Sequence, residues 1–239
     1  MSVVRFAHGV LLAGLIGLTG CTAFQPVPLY QLDSGNPRVP EQKTGPAVLL
    51  GPVEVADYLN CDLLLQRQAD GSLTAARRAR WAGNLPNDID QLLLRQLAGR
   101  LDSQRLAMAP AAPGFTPEVQ VQLSITRLDS GPKQPAVLEA QWRLLDKRGQ
   151  LRDTRLVRLE EPHQGAPADQ VKAQSLVLQR LAEQLASAIQ PLAAAEAEAA
   201  AAEEARKNAA TRTPKKVEPA KPQIPIPSPV RQDVEIYRF

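Results

Sequence analysis

The chain has 239 residues, of which 44% are hydrophobic and 4% aromatic, and its formal net charge is +3. Such a small charge is not typical of proteins that bind nucleic acid, which usually carry a concentrated basic face. The chain has two histidines, His8 and His163, and two cysteines, Cys21 and Cys61. His8 falls in a segment that resembles a cleaved leader, so a zinc cluster or a Ser-His-Asp site would have to be built around His163 alone. We therefore expect no metal site, no cofactor and no enzyme activity.

Residues 1–20 predict a secretory signal peptide. Arg5 gives the short basic start, and the apolar run from Val10 to Leu18 follows it. The run is shorter than the roughly 20 apolar residues that a membrane-spanning helix needs.

The end of this leader resembles the bacterial lipobox, whose four positions are here Leu18, Thr19, Gly20 and Cys21. The resemblance implies cleavage before Cys21, with a diacylglycerol on its sulfur and an acyl group on its nitrogen. Thr22 follows in place of the Asp that usually marks inner-membrane retention. This implies a lipid anchor on the periplasmic face of the outer membrane, and residues 21–28 are predicted to form a lipidated tether.

The next part of the chain predicts short strands and one helix. Alternation indicates strands at 29–33 and 47–55, the second broken at Gly51-Pro52. Residues 62–67 and 73–75 flank Asp70-Gly71, a dipeptide typical of β-hairpins. Helical spacing runs from Ile89 to Leu101, with Asn87 or Asp88 as the expected N-cap.

Residues 118–160 predict an antiparallel meander with one solvated face. Apolar residues alternate with polar ones at 118–125 and again at 138–144, and a turn leads into a third strand at about 150–160. A long helix is predicted from Asp169 to Gln190, with Pro191 ending or kinking it. The fold class is therefore α+β: a single domain over 29–192, with a mixed or antiparallel sheet and two main amphipathic helices packed on one face.

Residues 193–239 form an Ala/Glu-rich and then Pro-rich low-complexity tail. Its first part either extends the helix or fluctuates, and 211–229 is expected to be disordered. The alternating segment 234–239 is either a solvated end or a strand added to the sheet edge of a partner.

Three groups of residues could in principle take part in catalysis, but an ordinary structural role is the better interpretation of each. Glu160 and Glu161 are adjacent on a strand and so point to opposite faces. His163 lies in a predicted loop and is expected to be exposed. Cys61 has no disulfide partner once Cys21 is acylated, and we expect a buried, inert thiol.

Arg77-Arg78-Ala79-Arg80-Trp81 combines basic residues with an aromatic one. One interpretation is a solvated strand or loop with Trp81 packed in the core. The other is a contact with a protein partner or with lipid headgroups.

The order of several short blocks resembles the ABC-type transport auxiliary lipoproteins, the family of paraquat-inducible protein C (PqiC). Besides the lipobox, the blocks are Tyr30-x-Leu32-Asp33, Gly51-Pro52-Val53-x-Val55-x-Asp57-Tyr58-Leu59, Arg80-Trp81-Ala82, Trp142-Arg143-Leu144-Leu145-Asp146, Glu161-Pro162 and Ala173-Gln174-Ser175. Asn60-Cys61 stand where family members often have Arg-Pro, and the long tail is not a shared feature.

The resemblance implies a non-enzymatic accessory component of an intermembrane lipid transport system. Its partner would be an inner-membrane protein with MCE (mammalian cell entry) domains, PqiB-like, and a homo-oligomer matching the MCE ring is expected. Tyr58 and Trp81 are the candidate partner contacts. Two alternatives stay open, an envelope scaffold that contacts peptidoglycan or other outer-membrane proteins, and an envelope hydrolase that uses His163.

Overall fold

A computed structural model describes residues 26–41 and 43–211. The predicted signal peptide, the predicted lipobox with Cys21 and the segment from 212 to 239 lie outside the described residues. The chain divides into two compact units, Met1–Glu198 and Ala199–Phe239. Within its described part, the second unit is helical as far as Thr211.

The first unit is an α+β domain, as predicted. Its elements in chain order are β1 (Leu29–Tyr30), β2 (Val48–Val55), a 3-10 turn (Asp57–Leu59), β3 (Leu63–Arg67), β4 (Leu73–Trp81), α1 (Leu85–Leu101), β5 (Leu106–Met108), β6 (Val119–Gly131), β7 (Gln134–Asp146), β8 (Leu151–Glu161) and α2 (Pro167–Thr211).

The eight strands form one mixed sheet organised around β6. The long strand β6 pairs with β7 on one side, antiparallel, and β7 pairs with β8. On its other side β6 pairs in parallel with β2 and then, at Ser130, with β3. Strand β5 extends the sheet beyond β2, while β4 and β1 extend it beyond β3. The predicted meander and the predicted β3–β4 hairpin are confirmed, and the Gly51-Pro52 break coincides with a register shift between Leu50 and Val53.

The core lies between one face of the sheet and the two helices. The apolar residues that alternate in β6 and β7 are all buried: Val119, Val121, Leu123, Ile125, Leu138, Ala140, Trp142 and Leu144. The apolar stripes of α1 and α2 belong to the same cluster. Burial on this scale stabilises the fold by about 25 cal/mol for each Å² of apolar surface.

Helix α1 begins earlier than the sequence predicted. Its N-cap is Asn84, whose side-chain oxygen accepts a hydrogen bond from the Asn87 N–H at 3.1 Å. Asn87 and Asp88 therefore lie inside the helix, and the predicted cap was wrong. Pro86 is tolerated because the first turn of a helix leaves its N–H groups without intrahelical partners.

Helix α2 does not end at Pro191. It continues to Thr211, with Pro191 inside it. Leu192 and Ala193 pack against the core beyond the proline, and the alanine-rich sequence that follows has the highest intrinsic helix propensity. These two contributions offset the hydrogen bond that the proline removes.

Candidate functional site

The sheet has one face that the helices do not cover. We call it the open face and define it by Glu54 on β2, Gln122 and Ser124 on β6, and Gln141 and Arg143 on β7. With Pro52, these side chains surround a shallow depression of about 200 Å³. A second depression of about 350 Å³ lies beside it, toward Leu156 and Arg158 on β8. Both are open, and the second also exposes the apolar side chain of Leu156. This shape suits contact with a macromolecule better than enclosure of a small ligand.

The most buried charge beside this face belongs to Asp129 on β6, whose side chain is 1% exposed. It accepts hydrogen bonds from Arg67 on β3 at 2.9 and 2.6 Å and from Arg127 at 3.0 Å. The Tyr58 hydroxyl also donates to it, at 3.1 Å. A carboxylate this deeply buried needs such partners, because removing an unpaired charge from water costs several kcal/mol, about the cost of a large core mutation.

Tyr58 joins the 3-10 turn to this charge cluster. Its hydroxyl accepts from the Leu128 N–H at 3.0 Å while donating to Asp129. Burial, together with the neighbouring carboxylate, raises the pKa of the Tyr58 phenol to about 12. The side chain therefore stays neutral and fixes the turn against β6.

The charges continue across the sheet as a ladder. Arg127 lies opposite Glu139 on β7, which lies opposite Arg158 on β8. Glu139 pairs with both arginines, and Arg158 also pairs with Glu160 at 2.6 Å. Cross-strand pairs of opposite charge each contribute a few tenths to about 1 kcal/mol and fix the register of the meander.

The close approach of β3 to β6 depends on a glycine. A side chain at Gly131 would overlap the main-chain carbonyl oxygen of Arg67. This glycine lets Arg67 come within hydrogen-bonding distance of Asp129. Sequence reasoning missed this cluster, because 62 residues separate Arg67 from Asp129 and neither belongs to a local motif.

Of the two candidate partner contacts, Trp81 lies in the core with 5% of its surface exposed, and Tyr58 is half-buried. Both line a cleft of about 10 Å³, which is too small to hold a ligand. The interpretation of residues 77–81 as a strand with Trp81 in the core therefore describes the structure, and the arginines of that run lie on its exposed side.

The blocks around Asp33 and Ser175 also meet inside the domain. The Ser175 hydroxyl accepts from the Asp33 N–H at 3.0 Å, and Gln179 donates to the Asp33 carbonyl at 2.8 Å. Gln174 donates to the Ser130 hydroxyl at 2.8 Å. These residues tie the N-terminal segment and β6 to helix α2.

Glu160, Glu161 and Cys61, which were considered as catalytic candidates, each have a different partner in the structure. Glu160 pairs with Arg158, whereas Glu161 pairs with Arg180 on α2. Cys61 is half-buried rather than buried, and its thiol donates to the Tyr58 carbonyl at 3.4 Å. In the described part of the chain, no three His, Cys, Asp or Glu side chains are grouped so that they could hold a metal ion.

His163 is half-buried, whereas the sequence predicted an exposed loop residue. The turn folds back, with the Gly165 N–H donating to His163 Nδ1 at 3.0 Å and Gly165 lying against the Pro132 carbonyl. Its Nε2 is buried without a hydrogen-bond partner. Among the described residues, no serine or cysteine side chain forms a hydrogen bond with this ring.

Over residues 26–41 and 43–211, the structure has no helix of the length and apolarity that spanning a membrane requires. The residues of the expected lipid attachment, Leu18 to Cys21, precede this range.

Two solved structures share the fold of this chain. One structure, described as an uncharacterized protein, is 21% identical with a TM-score of 0.55, and the match covers 69% of this chain and 99% of that one. A Xanthomonas campestris protein of the DUF330 family is 14% identical with a TM-score of 0.57, covering 72% and 99%. A PelC dodecamer from Paraburkholderia phytofirmans is 14% identical with a TM-score of 0.36, covering 62% and 91%.

Among proteins of curated function, none matches the sequence. The model of one family, the ABC-type transport auxiliary lipoprotein component, matches residues 30–186, which is most of the compact domain. The chain belongs to the ABC-type transport auxiliary lipoprotein family.

Proposed function

We propose that this protein is a non-catalytic docking component of an MCE-type intermembrane lipid transport system. In this proposal Cys21 carries the lipid that anchors the chain to the periplasmic face of the outer membrane. The open face then contacts the end of an inner-membrane protein with MCE domains. The family supplies the coarse role, an auxiliary lipoprotein of ABC-type transport.

The observation that carries the proposal is the open face itself. It spans β2, β6, β7 and β8, and the helices cover only the opposite side of the sheet. Its depressions are shallow, charged side chains such as Glu54 and Arg143 are exposed on it, and so is the apolar side chain of Leu156 on β8. A broad face that mixes polar and apolar groups in this way suits a protein contact that forms and dissociates, because such interfaces are no more apolar than the rest of the surface.

The experiment is in-cell photocrosslinking from the open face. A photoreactive amino acid replaces Arg143, which is exposed on the open face, and in a matched strain it replaces Lys172, which is exposed on α2 on the other side of the sheet. An affinity tag inserted after Thr211, beyond the end of α2, allows purification, and mass spectrometry identifies the crosslinked proteins. We expect an MCE-domain protein from position 143 and none from position 172.

Other outcomes reject the proposal. If peptidoglycan fragments or unrelated outer-membrane proteins are recovered and no MCE protein is, the chain is an envelope scaffold. If both positions crosslink the MCE protein equally, the open face is not the docking surface. The expected homo-oligomer is tested separately, by light scattering of the purified chain during size-exclusion chromatography.

A further inference from the structure

The sheet has a corner where exposed apolar residues lie beside arginines. Strand β1 forms one edge of the sheet, and its Leu29 is 63% exposed, with Val27 just before it 43% exposed. Leu29 is in register with Arg80 of β4, so the two side chains lie on the same face. We call Val27, Leu29, Arg77, Arg78 and Arg80 the β1–β4 corner.

The arginines of this corner are not equally available. Arg80 is half-exposed and pairs with Asp62 at 2.6 Å. Arg77 and Arg78 are exposed, and within the described residues no hydrogen bond or ion pair joins either side chain to another group. They lie in a part of β4 where the register with β3 shifts, between Ala75 and Arg80. Strand β4 therefore presents two unneutralised positive charges within three residues of Arg80, whose register partner is the exposed Leu29.

The length of the tether determines where this corner can lie. Pro26, the first described residue, lies five Cα–Cα steps after Cys21. A fully extended chain covers at most about 3.6 Å per residue, so Pro26 lies within about 18 Å of an acylated Cys21 and Leu29 within about 28 Å. An anchored domain thus holds its β1 edge close to the bilayer.

We propose that the β1–β4 corner binds the surface of the membrane that carries the anchor, through anionic phospholipid headgroups. Arg77 and Arg78 contact the phosphates, and Val27 and Leu29 enter the interfacial region. This inference deepens the proposed function and relies on its lipid anchor at Cys21. The contact orients the domain, whereas the acyl chains hold it at the bilayer.

The expected contribution of each residue to membrane binding makes this contact weak but measurable. Each basic residue near an anionic surface contributes on the order of a fivefold increase in binding, and the attraction declines within a Debye length. Two arginines and two small apolar side chains would not retain a protein on their own, but they suffice to select one orientation for a domain that is already tethered.

The test uses the full mature chain with Cys21→Ser, so that no acyl chain masks the contact. Co-sedimentation is measured with vesicles of phosphatidylcholine, with and without 30% phosphatidylglycerol. We expect binding to the anionic vesicles at low salt, its loss at high salt, and no competition from millimolar inorganic phosphate. Arg77→Glu with Arg78→Glu should weaken it by at least about tenfold, and Val27→Asn with Leu29→Asn should also weaken it.

A matched control changes the net charge equally at other exposed positions. Lys133→Glu with Arg148→Glu alters the two turns of the meander, and its binding should stay within twofold of the parent. Circular dichroism verifies that every variant is folded. Equal weakening by both charge reversals, no preference for anionic vesicles, or competition by phosphate would overturn the inference. Because the assay contains no MCE protein, its failure leaves the crosslinking result unaffected, and failed crosslinking does not affect this assay.

Discussion

At the scale of single residues, Asp129 is the charge on which the open side of the sheet depends. Arg67, Arg127 and Tyr58 all bind its carboxylate, and it is almost completely buried. Replacing it with Asn keeps the shape but leaves Arg67 without its counter-charge and Arg127 with Glu139 alone. We expect Asp129→Asn to lower the free energy of unfolding by about 3 kcal/mol in urea denaturation.

The matched control for this change is Asp57→Asn. Asp57 lies next to Tyr58 in the 3-10 turn, but its side chain is exposed. Its unfolding free energy should stay within about 0.5 kcal/mol of the wild type. If both variants lose the same free energy of unfolding, the Asp129 cluster does not stabilise the fold more than an exposed carboxylate does.

The Tyr58 hydroxyl gives the cluster a pH dependence. Its pKa is raised from 10.0 to about 12, first by burial and then by the adjacent Asp129. A group whose pKa is higher in the folded state contributes stability that is complete below the unfolded value. This contribution is lost as the pH rises from about 10 through about 12.

A rapid pH jump to 11, followed by tyrosinate absorbance, tests this. We expect a late phase that appears at the rate of unfolding, because Tyr58 ionises only when it becomes exposed. The phase should disappear in Tyr58→Phe and remain in Tyr30→Phe. If Tyr58→Phe retains it, Tyr58 is not the protected phenol.

At the scale of elements, the sequence prediction and the structure differ in the N-cap of α1. The Asn84 side chain satisfies one of the free N–H groups of the first turn, whereas Asn87 is already helical. We expect Asn84→Ala to cost about 1 kcal/mol and Asn87→Ala to be close to neutral, as measured by thermal or urea unfolding. A larger loss of stability in Asn87→Ala than in Asn84→Ala would show that Asn87 is the N-cap, as the sequence predicted.

The sequence predicted most elements because their signals are local. Alternation in β6 and β7, the Asp70-Gly71 turn and the stripe of α1 each depend on residues within one or two turns of each other. Tertiary contacts decide what these local signals left open or missed. Leu192 and Ala193 pack on the core and carry α2 past Pro191, and the Gly165 turn folds back over His163.

The candidate site was less predictable than the fold. The open face follows from the polar positions of the meander, which the sequence placed on a solvated side. The Asp129 cluster does not, because it needs β3 to lie against the end of β6, and only Gly131 allows that approach. Trp81 likewise belongs to the core because β1 and β3 flank β4 there.

At the scale of the whole molecule, anchor and domain should be separable. The described fold from residue 26 onward is complete without Cys21, and no described helix provides a membrane span. We expect Cys21→Ser, secreted behind an ordinary cleavable signal peptide, to move the protein from the membrane fraction to the soluble periplasm. Its melting temperature should be unchanged, because the buried core is formed by described residues from Leu32 onward.

The second cysteine provides the control for this prediction. Cys61→Ser alters a half-buried thiol at the start of β3 and should leave the protein in the membrane fraction, with the acyl mass still on Cys21. Stable membrane retention of Cys21→Ser at physiological salt would mean that the β1–β4 corner or a partner, and not the lipid, anchors the chain. Release of Cys61→Ser would move the attachment site to the other cysteine, and the orientation derived from the short tether would fail with it.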